Sequence, residues 1–128
     1  MTNLSGLAGR ILLAVIFIVS GVGKLGAYAG TQAYMASQGV PGTLLPLVIA
    51  LELGGAAMIV AGWRTRLAAL ALAAFTLAAA LIFHADFAER IQQIMFLKNL
   101  AIAGGLLLLA AYGAGAWSVE GRRKESRL

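Results

Sequence analysis

The sequence predicts an all-α fold, an integral membrane four-helix bundle connected up-down-up-down with both termini in the cytoplasm. Three observations carry this. The chain of 128 residues is 61% apolar and only 12% charged, where an ordinary soluble domain carries about 25% charged residues. The charges are also unevenly spread, with none from Leu25 to Leu51, none from Leu67 to Ala85 and none from Asn99 to Val119. A hydrocarbon core of about 30 Å needs roughly 20 helical residues at about 1.5 Å each. Lipid offers no water to an unpaired backbone group, so apolar runs of that length must be helical. Finally, Arg10, Arg64, Arg66 and the tail residues Arg122, Arg123, Lys124 and Arg127 fall on one side of a four-span arrangement, and Arg90 alone falls in a loop on the other. The positive-inside rule then puts both termini inside.

The elements follow in order. A first span covers residues 7–29, with Arg10 near one end and Lys24 towards the other. The polar stretch from Tyr28 to Gly42 has room for a short interfacial helix between Thr31 and Gln38, before the turn signal Gly39-Val40-Pro41-Gly42. A second span covers 43–62; Pro46 lies in its first turn, where a missing N–H costs little, and Glu52 lies near its centre. The connector Trp63 to Arg66 is short enough to make the next span antiparallel. A third, alanine-rich span covers 67–84, and Asp86 to Gln93 reads as a polar loop. The fourth span covers 95–117 and leaves through Trp117, an aromatic of the kind enriched at membrane interfaces. Residues 7–117 thus form one domain, and 118–128 a basic, mobile cytoplasmic tail. Gly54-Gly55, Gly104-Gly105 and the many alanines allow helices to approach closely.

Several function classes drop out. No cysteine is present, which removes a disulfide framework, thiol redox chemistry and a thiolate metal site. The net charge of +5 lies in segments between apolar runs and not on a basic stripe, so the expected partner is the lipid bilayer and not nucleic acid. Gly21-Val22-Gly23-Lys24-Leu25-Gly26 imitates a dinucleotide fingerprint, yet it closes an apolar helix where the fingerprint must open one after a strand. His84 with Asp86 and Glu89 matches no metal-ligand spacing.

Ionisable residues within the spans are the informative ones, because each costs on the order of 3 kcal/mol at mid-membrane and requires compensation. Lys24 lies about 20 Å along the first span and Glu52 about 14 Å down the second. The two therefore lie within a few ångström in depth, close enough for an ion pair. His84 ends the third span, and Lys98 and Asn99 enter the fourth, at a similar outer level. Spacing of seven keeps Arg10, Phe17 and Lys24 on one helix face, and Lys98, Gly105 and Tyr112 on another. Lys24, Glu52, His84, Lys98 and Asn99 are therefore candidate ligand-binding residues of an internal pocket in the outer half of the bundle. The plainer alternative makes them snorkelling lysines and structural ion pairs. Arg10 reads as a topology anchor at the cytoplasmic end, and Tyr28, Tyr34 and Met35 as an interfacial cover over the outer mouth.

Arg10 with Phe17, Ser20-Gly21 and Lys24-Leu25, then Tyr34, Gly39-Val40-Pro41, Glu52 with Gly54-Gly55, Phe83-His84 and Phe96-Leu97-Lys98-Asn99 form an ordered pattern. It resembles the DoxX family over nearly all of Arg10 to Gly113. The resemblance implies a small bacterial inner-membrane protein of four helices. It also implies kinship with membrane subunits of a thiosulfate:quinone oxidoreductase and with members linked to thiol and oxidative-stress systems; the disulfide chemistry of cysteine-bearing relatives does not carry over to a chain without cysteine. The expectation is a membrane subunit or accessory protein of a quinone-linked redox process, its pocket holding a quinone headgroup or a small oxyanion. It would work with redox or membrane-protein partners or as a homo-oligomer. The alternative is a non-catalytic scaffold or assembly factor docking on other membrane proteins through its small-residue faces.

Overall fold

A computed structural model describes residues 2–126, with side-chain surroundings from Asn3 to Arg123; Arg127 and the side chain of Lys124 lie outside the described residues. Every secondary-structure element among the described residues is helical. Four long helices, α1 (Thr2–Gly26), α3 (Leu45–Ala61), α4 (Thr65–Phe83) and α5 (Arg90–Tyr112), are joined by the short α2 (Tyr28–Ser37) and followed by α6 (Val119–Ser126). With the 3₁₀ turn Gly42–Leu44 extending α3, each of the four is long and apolar enough to cross a membrane. The outer surface is built from Leu12, Val19, Leu47, Leu67, Leu81 and Leu108, all exposed, an inside-out distribution that suits a hydrocarbon solvent.

The helices form a ring in which α1 packs on α3, α3 on α4 and α4 on α5, while α5 touches α1 only sparsely. Small residues set the close approaches, as expected where hydrophobic burial cannot drive association. A Cβ at Gly55 would lie 2.9 Å from Leu72, one at Gly21 2.7 Å from Leu53, and one at Gly105 3.2 Å from Leu13. Of the two expected glycine pairs only one member each is used, since Gly54 and Gly104 have nothing within 4 Å. Ala14, Phe17, Ile59, Leu72 and Leu106 fill the bundle towards the α6 end, and Met35, Leu45 and Ile49 form a smaller cluster at the α2 end.

Three boundaries differ from the sequence reading, each for a local backbone reason. The first helix stops at Gly26, because Ala27 leaves helical geometry and the chain restarts at Tyr28 as α2, longer than the segment expected there. The last long helix runs from Arg90 to Tyr112 instead of over 95–117. Its polar first turn contains residues that propagate a helix well, and Gly113 and Gly115, with φ of +81° and +87°, end it before Trp117. The tail expected to be mobile is helical over Val119–Ser126 and docked. The Glu120 backbone N–H donates to Gly62 O at 3.1 Å, and its carboxylate Oε1 accepts from the Thr65 N–H at 2.5 Å. That carboxylate satisfies one of the orphan donors at the start of α4, where the helix dipole favours negative charge.

Arg10 does more than anchor a span end. It is buried, its Nη1 donates to Ile59 O at 3.0 Å and Val60 O at 2.8 Å, and its Nη2 donates to Trp117 O. One guanidinium fork thus closes the carboxyl end of α3 and pins the α5–α6 connector, so its charge meets the negative end of the helix dipole. Gly62, in the left-handed conformation at φ +71°, makes the tight exit from α3 that lets this happen, because a Cβ there would lie 2.9 Å from Arg10 Nη1.

Candidate functional site

Where α1 and α5 part, towards the α2 end, the bundle encloses a cavity of about 390 Å³. The cause is legible in the packing. Gly105 lets α5 close on Leu13 of α1, but about two to three turns further along the facing residues are Ser20 and Lys24 on α1 and Asn99 and Lys98 on α5, which leave space between the helices. The lining positions repeat as helical stripes, Phe17, Ser20 and Lys24 on α1 and Met95, Lys98, Asn99 and Ile102 on α5. Glu52 enters from α3, Thr76 and Phe83 from α4, and Tyr34 and Met35 from α2. All five sequence-nominated residues, Lys24, Glu52, His84, Lys98 and Asn99, lie on its wall.

Their contacts differ. Lys24 Nζ is 2.6 Å from Glu52 Oε1 and donates a second hydrogen bond to Ser20 Oγ at 2.6 Å; the Lys24 side chain is 24% exposed and that of Glu52 3%. Serine one turn before the lysine shares its helix face, which is why the ammonium finds two acceptors at once. Asn99 Nδ2 donates to Thr76 O at 3.3 Å, tying α5 to α4. Thr76 Oγ1 is spent on Leu72 O at 2.6 Å, a back-bond that keeps a hydroxyl satisfied within a helix. His84 Nδ1 pairs with Gln92 Oε1 at 3.1 Å. Because an amide oxygen only accepts, Nδ1 is the donor in this contact. Lys98 makes no hydrogen bond or ion pair with the described residues and is exposed.

At the α2 end Tyr34 stacks on Phe83 with ring centroids 5.4 Å apart, and Met35 is buried beside Leu45 and Ile49. The α2 helix therefore lies across the mouth of the cavity, as the aromatic cluster suggested, while Tyr28 itself is half-exposed. Thr76 and Gln92 were not singled out from the sequence. Thr76 had a signal, being the only polar residue of an otherwise apolar run from Leu67 to Phe83; Gln92 had none, since a glutamine in a polar segment is unremarked until its partner is known.

The DoxX family model matches residues 6–85, more than half of the chain, from the second turn of α1 through the end of α4. The chain belongs to the DoxX family. Among curated proteins it is 54% identical over 114 residues to inner membrane protein YqjF of Escherichia coli (strain K12), covering 89% of this chain and 88% of that one. It is 40% identical over 123 residues to inner membrane protein YphA of the same organism, with 91% and 88% covered. No solved structure matches. With relatives so named and four membrane-spanning helices, this DoxX protein is a multi-pass protein of the inner membrane. Within it, Arg10, Phe17, Ser20, Lys24 and Glu52 run along the interior from the guanidinium fork to the ion pair. Lys98 and Asn99 complete the cavity from α5, beyond the matched residues.

Proposed function

We propose that this DoxX protein is a membrane subunit or accessory protein of a quinone-linked redox process and that its cavity binds the quinone head. The observation that carries the reading is the pairing of an apolar enclosure, walled by Ile16, Phe17, Phe75 and Ile102, with a small set of donors, Lys98 Nζ and the Asn99 amide among them. Ligand sites for lipophilic cofactors combine apolar walls with a few placed polar groups, and a quinone presents a flat apolar ring with two carbonyl acceptors, so the donor set fits. When bound, a quinone supplies two-electron, two-proton chemistry. The protein's own residues orient and neutralise. Lys98 donates to a carbonyl oxygen, Asn99 fixes the ring through its remaining N–H, and the Lys24–Glu52 pair balances its own charge and holds an exchangeable proton at Lys24 Nζ. The sparse α1–α5 seam supplies a side entrance from the bilayer. The charge distribution along the chain orients the α2 end, and with it the cavity, towards the outer face.

Gently purified protein extracted into organic solvent should yield a quinone in amounts comparable to the protein, and Lys98→Ala should lower quinone affinity about tenfold to a hundredfold, the worth of a charge-assisted hydrogen bond. Extracts without quinone, together with no binding of added quinone by protein in nanodiscs, would defeat the reading. The scaffold alternative has one observation of its own, that Gly54 and Gly104 face open space on the lipid side, where another helix could approach closely.

A further inference from the structure

The charges around the cavity do not cancel. Lys24 is neutralised by Glu52 at 2.6 Å, and His84 is engaged through Nδ1 by Gln92. Lys98 is left as a cation on the same wall, on the stripe shared with Met95, Asn99 and Ile102. The nearest acidic residues in sequence, Asp86 and Glu89, form no ion pair with it; Asp86 Oδ1 instead accepts from Ala88 N. Lys98 enters the apolar part of α5 on this wall, three residues after Met95. An ammonium without an ion-pair partner beside an apolar cavity is costly, and a ligand bringing one negative charge would offset that cost.

We propose that the cavity selects the anionic form of its ligand, an amphiphile whose apolar body fills the α1–α5 enclosure and whose single ionised oxygen sits on Lys98, with a neighbouring carbonyl accepting from the Asn99 amide. The ligand class is then an acidic quinone or quinol in its deprotonated state, in preference to a neutral quinone of the same shape. This rests on the reading of the cavity as a quinone-type site, and extends it by assigning the selectivity to one residue. Charge-assisted hydrogen bonds are about twice as strong as neutral ones, so a matched pair of ligands differing only in ionisation reports on it directly.

The test uses the full chain in nanodiscs and two probes, a 3-alkyl-2-hydroxy-1,4-naphthoquinone, which is ionised at neutral pH, and its 2-methoxy analogue, which is not. Equilibrium binding should favour the hydroxy probe by at least about tenfold. Lys98→Gln should abolish the preference, weakening the hydroxy probe by at least about tenfold more than the methoxy probe, and Lys98→Arg should keep most of it. The preference should also vanish when the pH is taken below the ionisation of the probe itself. If both probes bind equally, anion selection is wrong while the quinone site stands. If the hydroxy probe is preferred to the same degree in Lys98→Gln, the assignment to Lys98 is wrong. If neither binds to protein that retains its thermal transition, the quinone reading falls and this inference with it.

Discussion

Among single residues, Lys24 and Glu52 show how a sequence advertises an interior. Two opposite charges at matching depth in neighbouring apolar spans each carry a desolvation cost that only the other can offset, and they meet at 2.6 Å with Ser20 as a second acceptor. Breaking the pair from one side should therefore cost more than removing it. Glu52→Leu alone should destabilise the bundle by about 3 kcal/mol, by stranding the ammonium, and the double substitution Lys24→Met with Glu52→Leu should recover most of that loss. Thermal unfolding in mild detergent of the two single variants and the double variant checks it; additive losses would mean the pair is not coupled. Arg10 was the residue whose position in the sequence misled. An arginine at a span end is usually a topology anchor, and nothing in the local sequence tells that its fork reaches carbonyls 49, 50 and 107 residues away.

Whole helices are held in register by these long-range contacts and by individual glycines. Lysine in place of Arg10 keeps the charge but cannot span the carboxyl end of α3 and the Trp117 carbonyl together. Arg10→Lys should therefore free the 113–118 connector, which a single cysteine at Ala116 would report as faster thiol labelling than in the Arg10 protein; the native chain contains no cysteine to confuse the signal. Neighbouring glycines should respond oppositely. Gly55→Leu drives a side chain into Leu72 and should lower stability by about 1–3 kcal/mol or more through overpacking. Gly54→Leu points into open space and should leave the purified protein's melting unchanged. If Gly54→Leu nevertheless abolishes a cellular phenotype, the exterior face is an interface and the scaffold reading gains.

For the molecule as a whole, the ring α1–α3–α4–α5 is closed along three of its sides and sparse along the fourth, and the cavity lies behind the sparse side. The positive-inside rule predicts that the cavity faces outwards. A cysteine introduced at Gln38, beside the cavity mouth, should be labelled by a membrane-impermeant maleimide added to intact spheroplasts, and one at Trp63 should be labelled only after the membrane is opened; the reverse pattern would invert the topology. Side access predicts that a disulfide between cysteines introduced at Ser20 and Asn99, once shown to form, slows quinone-probe entry, while one near Leu13 and Gly105, where the helices already touch, does not.

Membership of the membrane class and the number of membrane-spanning helices were determined by the sequence alone, because hydropathy and a fixed rise per residue act locally and need no partner. The five candidate residues were legible for the same reason, each being an ionisable or amide group at one level of an apolar run or at its end. Which of them remains without a partner was decided only by the tertiary structure, as were the ends of α1 and α5, the docking of α6 and the reach of Arg10. Those depend on pairings between segments distant along the chain, and a hydrogen bond to a backbone carbonyl leaves no trace in the identity of the residue that offers it.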